Sequence, residues 1–128
     1  MAITAIDIEF SSSCSLDKLT FGFDQKNNPK NNSIICCGQN NQARCFEAGY
    51  SNEATSWDVT DNAALCIVTR SPNIRATFSS DSSVTGKGFI FRYFPVESSN
   101  MSSCGQYVKV EGLTKFYICS IRQALNNN

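Results

Sequence analysis

The segment Thr4-Ala5-Ile6-Asp7-Ile8-Glu9-Phe10 decides the fold class. Thr4, Ile6, Ile8 and Phe10 alternate with Ala5, Asp7 and Glu9. Successive side chains of a strand point to opposite faces, so this period of two sets one face on a core and the other in solvent. Working outward, Leu19, Phe21 and Phe23 repeat the pattern, as do Ile74, Ala76 and Phe78. Ala64-Leu65-Cys66-Ile67-Val68 is a continuous apolar run and predicts a strand buried on both faces. Gly88 to Phe94 is aromatic on both faces and stops at Pro95, which cannot donate to a ladder. Gln106 to Val110 and Lys115 to Ile121 predict two more strands. Asp24 to Ser33, Gln39 to Gln42, Ser79 to Lys87 and Ser98 to Ser103 are rich in Asn, Ser, Gly and Pro and read as turns. Seven to nine short strands with regular turns predict an all-β sandwich or barrel. Phe46 to Thr60 fits no strand pattern and predicts a short helix or an ordered loop around Trp57.

The chain has 128 residues, enough for one compact domain over 1–128 and too few for two full cores. Eleven Lys and Arg balance eleven Asp and Glu. A neutral chain lacks the basic footprint by which nucleic-acid binders displace counterions, and it lacks a polybasic membrane-surface patch. No apolar run approaches the ~20 residues that span a bilayer as a helix, so no membrane insertion is expected. The chain contains no His. Ser-His-Asp triads, Cys-His pairs and imidazole metal ligands are therefore excluded, and a non-enzymatic role is expected.

Seven cysteines are present. Cys36 and Cys37 are adjacent, and Cys14, Cys45, Cys66, Cys104 and Cys119 are scattered. Zinc sites use close Cys-x2-Cys pairs, which are absent, so the pattern favours disulfides and an oxidising, extracellular compartment. The sequons at Asn31 and Asn100 agree with secretion. The first nine residues lack the basic and apolar regions of a signal peptide, so secretion requires a leader already removed. An odd count leaves at least one thiol without an intrachain partner.

Gly86-Lys87-Gly88 lacks the preceding glycine and the following Ser or Thr of a phosphate-binding loop, and reads as a tight turn before a strand. The acids carry more information. Glu9 closes the first strand, Asp17 opens the second, and Asp81 sits in the turn Ser79-Ser80-Asp81-Ser82-Ser83. Carboxylates at strand ends beside hydroxyls and carbonyls are the residue types of a hard-cation site; they are equally the residue types of solvated turns.

Ile74-Arg75-Ala76-Thr77-Phe78-Ser79-Ser80-Asp81-Ser82-Ser83-Val84-Thr85-Gly86-Lys87-Gly88-Phe89 resembles the end of a CUB domain. There an apolar strand leads to F-x-S-D-x-S, a Gly-containing turn, then Gly-Phe and alternating aromatics. Ile3 to Phe23 resembles the middle of such a domain, with Glu9, Cys14, Asp17 and an apolar strand from Leu19 to Phe23 in the family's order. Cys37-Gly38 is similar to the family's Cys-Gly. The resemblance implies a two-sheet antiparallel β-sandwich of jelly-roll type and a Cys14–Cys37 disulfide. The family's opening strands are missing from the start, and Cys104-Gly105-Gln106-Tyr107 with Phe116 to Ile121 stands in their likeness at the other end. A circular permutant, strands swapped between two chains, and a C-terminal mimic all fit this order; the permutant is preferred and pairs Cys104 with Cys119. Cys45 with Cys66 would then close a loop of about 20 residues, for about 3 kcal/mol, with Cys36 left unpaired; Cys36 with Cys66 is the alternative.

The resemblance further implies calcium held by Glu9, Asp17 and Asp81, with Ser83 as a further ligand. Affinity is expected in the extracellular range of ~10⁻⁴–10⁻³ M. The function it implies is a secreted binding module that recognises an extracellular protein or a glycan at the acidic loop end, an acid receiving a basic group of the partner. The alternative class is a self-associating structural or storage-type secreted protein, such as a homodimer joined by the odd cysteine or swapped strands, which a neutral chain would not oppose by self-repulsion.

Overall fold

The computed structural model describes residues 1–23, 32–68, 73–81, 83–93, 105–111 and 114–122. Ten strands occur among them: β1 Ala2–Asp7, β2 Lys18–Phe23, β3 Asn32–Cys37, β4 Ala43–Glu47, β5 Thr55–Trp57, β6 Ala63–Val68, β7 Ile74–Ser79, β8 Gly88–Arg92, β9 Gly105–Glu111 and β10 Thr114–Ser120. They form two five-stranded sheets, ordered β8-β1-β6-β10-β9 and β5-β4-β3-β2-β7. Every assigned pairing is antiparallel. The fold is thus an all-β, two-sheet antiparallel sandwich. Strands β9 and β10 join the first sheet within the same chain, β10 pairing with β6 through the register Ser120↔Ala63 to Lys115↔Val68.

The core lies where the sheets face each other. Ile3, Ile6, Leu65, Ile67 and Phe116 of the first sheet meet Leu19, Phe21, Phe23, Ile34 and Trp57 of the second. A fully buried side chain of this size contributes roughly 1.5–3 kcal/mol, and the period of two is the pattern that delivers so many to one layer. The predicted face of β1 needs one correction. Its pairing with β8 shifts between Ile3 and Ala5, a bulge that moves the chain by one residue. Ile3 and Ile6 therefore both reach the core, and Thr4 is half-buried instead. Strand β6 is buried on both faces as predicted: Leu65 and Ile67 face the core, and Ala64 and Cys66 join Ala2, Tyr117 and Cys119 in a second cluster. The segment 46–60 holds two 3-10 turns, Ser51–Glu53 and, running past it, Val59–Asp61, with the short β5 between them.

Among the described residues the disulfides are Cys14–Cys37 and Cys36–Cys45. The first agrees with the family resemblance. The second overturns both the unpaired Cys36 and the Cys45–Cys66 and Cys36–Cys66 pairings. Cys36 and Cys45 stand directly opposite each other in the β3–β4 ladder, with Cα atoms 4.2 Å apart. Cys66 lies in the second cluster, with Ala64, while its neighbours Leu65 and Ile67 face Cys45's core, so it cannot reach across. Cys119 is buried in the same second cluster as Cys66, and its expected pairing with Cys104 involves a residue outside the described ones. Cys104 and the sequon residues Asn31 and Asn100 lie outside the described residues.

Cys14 takes a left-handed φ of 52°, uncommon for a residue with a Cβ. Its N–H donates to the Ser11 carbonyl, and its sulfur is tied to the end of β3. The loop from Ile8 to Asp17 is thereby clamped over one end of the sandwich. The Cys14–Cys37 bond closes a loop with a sequence separation of 23. Replacing both residues with Ser is expected to lower stability by about 3 kcal/mol and the melting temperature by about 10 °C, read by calorimetry against the wild type.

Candidate functional site

Two separate strand ends and one loop bring the predicted acids together. Glu9 follows β1, Asp17 precedes β2, and Asp81 follows β7. Strands β2 and β7 are hydrogen-bonded neighbours, with Lys18 opposite Ser79, so Asp17 and Asp81 meet at one end of the second sheet. The clamped loop delivers Glu9 to the same place. One oxygen from each carboxylate lies within 4.8 Å of the others.

Asp17 organises the cluster. It is only 3% exposed, and its two oxygens accept different backbone N–H groups: Oδ2 from Glu9 at 3.4 Å and Oδ1 from Asp81 at 3.0 Å. One buried carboxylate thus ties a segment of the first sheet to one of the second. Ser83, expected as a further ligand, instead grips Asp81: its N–H and its Oγ–H donate to Asp81 Oδ1 at 3.1 and 3.0 Å. Glu9 is the least satisfied member. Its Oε2 is shut off from water and has no hydrogen-bond partner.

These environments push the acids apart. Desolvation first, then the negative charge of Asp81, a hydrogen bond with that carboxyl and the charge of Asp17 raise the Glu9 pKa above its ordinary value. Asp81 is lowered, chiefly by the Ser83 backbone N–H, then by the Ser83 hydroxyl and by Glu9, against desolvation.

Gly86 and Lys87 lead directly into β8, whose first residue is Gly88, and carry no assigned turn. A Cβ on Gly86 would meet the Asp7 carbonyl oxygen at 2.1 Å, so only glycine permits this backbone approach. Lys87 contributes its backbone N–H to Asp7 Oδ2.

A second feature escaped the sequence reading. A cleft of about 350 Å³ is lined by Phe10, Asn41, Gln42, Ala43, Arg44, Ser56 and Trp57. Phe10 follows Glu9 directly, so one loop serves both places. Three segments distant in sequence build the cleft, and no spacing announces it; the lone tryptophan was the available signal.

No protein-family model, no curated protein and no solved structure matches this chain. The likeness to CUB domains is carried by the residues quoted above alone.

The linkage of Glu9 has a definite sign. Its folded-state pKa is raised, so its contribution to stability is complete below the ordinary glutamate value of 4.5 and is lost as pH rises through the folded value. Asp81 acts oppositely: its contribution is present above its ordinary 3.8 and is lost as pH falls through the lowered value. In EDTA, Glu9→Gln is expected to raise the melting temperature at neutral pH and to flatten the decline seen as pH rises from 4.5. Thermal melts of both proteins across that range check it.

Proposed function

We propose that this chain is a secreted, non-enzymatic binding module of CUB type whose acidic loop end holds calcium and, with it, engages a basic group of a protein partner. The observation that carries this reading is the buried, unpartnered Oε2 of Glu9 among three carboxylates. Like charges at such separation repel, and a buried acceptor without a donor costs free energy, unless a cation answers both. The donor set fits. Calcium takes oxygen ligands at about 2.4 Å, so oxygens on one ion can lie up to about 4.8 Å apart, the spread found here. Glu9, Asp17 and Asp81 would hold the ion, and Ser83 would fix the orientation of Asp81. Bound calcium would supply positive charge that lets all three acids stay ionised at once.

Secretion is supported by the two disulfides, which persist in oxidising compartments. No helix among the described residues is long and apolar enough to cross a membrane. With the ion in place, the exposed Asp81 keeps an oxygen for an ammonium group.

Calcium titration by calorimetry is expected to give one site with a dissociation constant of ~10⁻⁴–10⁻³ M. At roughly 10 mM calcium the fold should gain about 1.5–3 kcal/mol, seen as a higher melting temperature. Glu9→Gln and Asp81→Asn should each abolish both effects while the variants remain folded in EDTA. No heat and no thermal shift at millimolar calcium overturns the reading. Because the ion competes with the proton on Glu9, affinity should also fall up to about tenfold per pH unit below the raised Glu9 pKa.

A further inference from the structure

We propose that the cleft around Trp57 is a saccharide-binding site that receives one pyranose ring or a terminal pair of rings. Its volume of about 350 Å³ lies within the range of small-ligand pockets. Its lining joins two chemistries. Phe10 supplies exposed aromatic surface, Trp57 reaches the lining from the core with 6% of its surface exposed, and Asn41, Gln42 and Ser56 supply amides and a hydroxyl that both donate and accept. Among the described lining residues Arg44 is the one that is charged, and none is a carboxylate.

That combination narrows the ligand class. A cationic ligand would find no carboxylate. A wholly apolar ligand would bury the amides without partners, at a desolvation cost. A phosphate would face a single guanidinium and two aromatic side chains it cannot use. A pyranose offers an apolar C–H face to the aromatics and a rim of hydroxyls that each donate and accept, as amides require.

Trp57 gives the independent sign. The residue is 6% exposed, and its indole Nε1 is buried with no hydrogen-bond partner. Buried indole N–H groups usually find an acceptor. No described residue supplies one, which leaves that place to a ligand hydroxyl. The frame around it is firm. Trp57 pairs with Ala43 and Ser56 with Arg44 across the β4–β5 ladder, and the Val59 N–H holds the Asn40 carbonyl at 2.7 Å, anchoring the turn that carries Asn41 and Gln42. Asn41, Gln42, Ser56 and Phe10 are exposed, so the mouth is open to a sugar at the end of a chain.

Trp57 is the only tryptophan of the chain, so its fluorescence reports on this cleft alone. The full chain is titrated with galactose, mannose, N-acetylglucosamine and glucuronic acid, each also as the terminal residue of an oligosaccharide. A saturable emission change with at least one sugar is expected, with a dissociation constant on the order of 10⁻³ M. Gln42→Ala and Ser56→Ala, both at exposed positions, should weaken it at least tenfold without lowering the melting temperature. Trp57→Phe should abolish binding read by calorimetry. A free sugar that matches its oligosaccharide marks a one-ring site, and a tighter oligosaccharide marks a two-ring site; both support the assignment. The response is expected in EDTA as in calcium, because no cleft residue belongs to the carboxylate cluster, so failure of the calcium reading leaves this one standing. Absence of saturable change with every sugar up to roughly 50 mM overturns it. So does a response that Gln42→Ala and Ser56→Ala leave unaltered, or one lost in EDTA.

Discussion

The adjacency of Cys36 and Cys37 is the constraint on which the architecture depends. Neighbouring residues of a strand project to opposite faces, so two vicinal cysteines must take partners in different directions. Cys36 bonds sideways to Cys45 and fixes the β3–β4 register. Cys37 bonds to Cys14 and draws the loop between β1 and β2 across the end of the sandwich. One dipeptide thus joins a hairpin of the second sheet to the segment that leaves the first. The left-handed backbone of Cys14 is held within this arrangement.

Asp17 finishes what the sulfurs begin. Its buried carboxylate spans the backbone of Glu9 and of Asp81, which belong to segments leaving opposite sheets. A structural acid and the candidate ligand set are therefore the same group of residues. The Glu9–Phe10 dipeptide then divides its labour, with Glu9 turned to the carboxylates and Phe10 to the cleft. Loops carry function on a rigid scaffold, and here a covalent clamp makes the loop part of the scaffold.

The legible part of the fold was its period. Alternation in Leu19-Phe21-Phe23 and the continuous run at Ala64 to Val68 report burial directly, because side-chain direction in a strand is local geometry. The three acids were legible because each marks a strand end beside a turn. What was hidden depends on register. The bulge at Thr4 and Ala5 leaves no sequence mark, yet it changes which residue meets the core. Cys36–Cys45 follows only once β3 and β4 are known to pair with those two residues opposite, and Asn32 to Glu47 shows no clean alternation from which to read that hairpin. The Trp57 cleft is assembled from loop and strand ends whose proximity is a property of the whole sandwich.

The two sheets also end side by side. Strand β7 borders one and β8 borders the other, and Phe78, Phe89, Phe91 and Phe21 form a chain of ring contacts from one border to the interior, with centroids 5.1–6.1 Å apart. Strand edges invite pairing with other chains, and a molecule of zero net charge has no long-range repulsion to keep copies apart. Resistance to edge-to-edge growth must then reside locally. On β7 it falls to Arg75, Thr77 and Ser79, which alternate with the aromatic-facing positions, and at the far border of that sheet to the brevity of the three-residue β5. Resistance to edge-to-edge growth of the second sheet is then a property of its two borders rather than of the overall field.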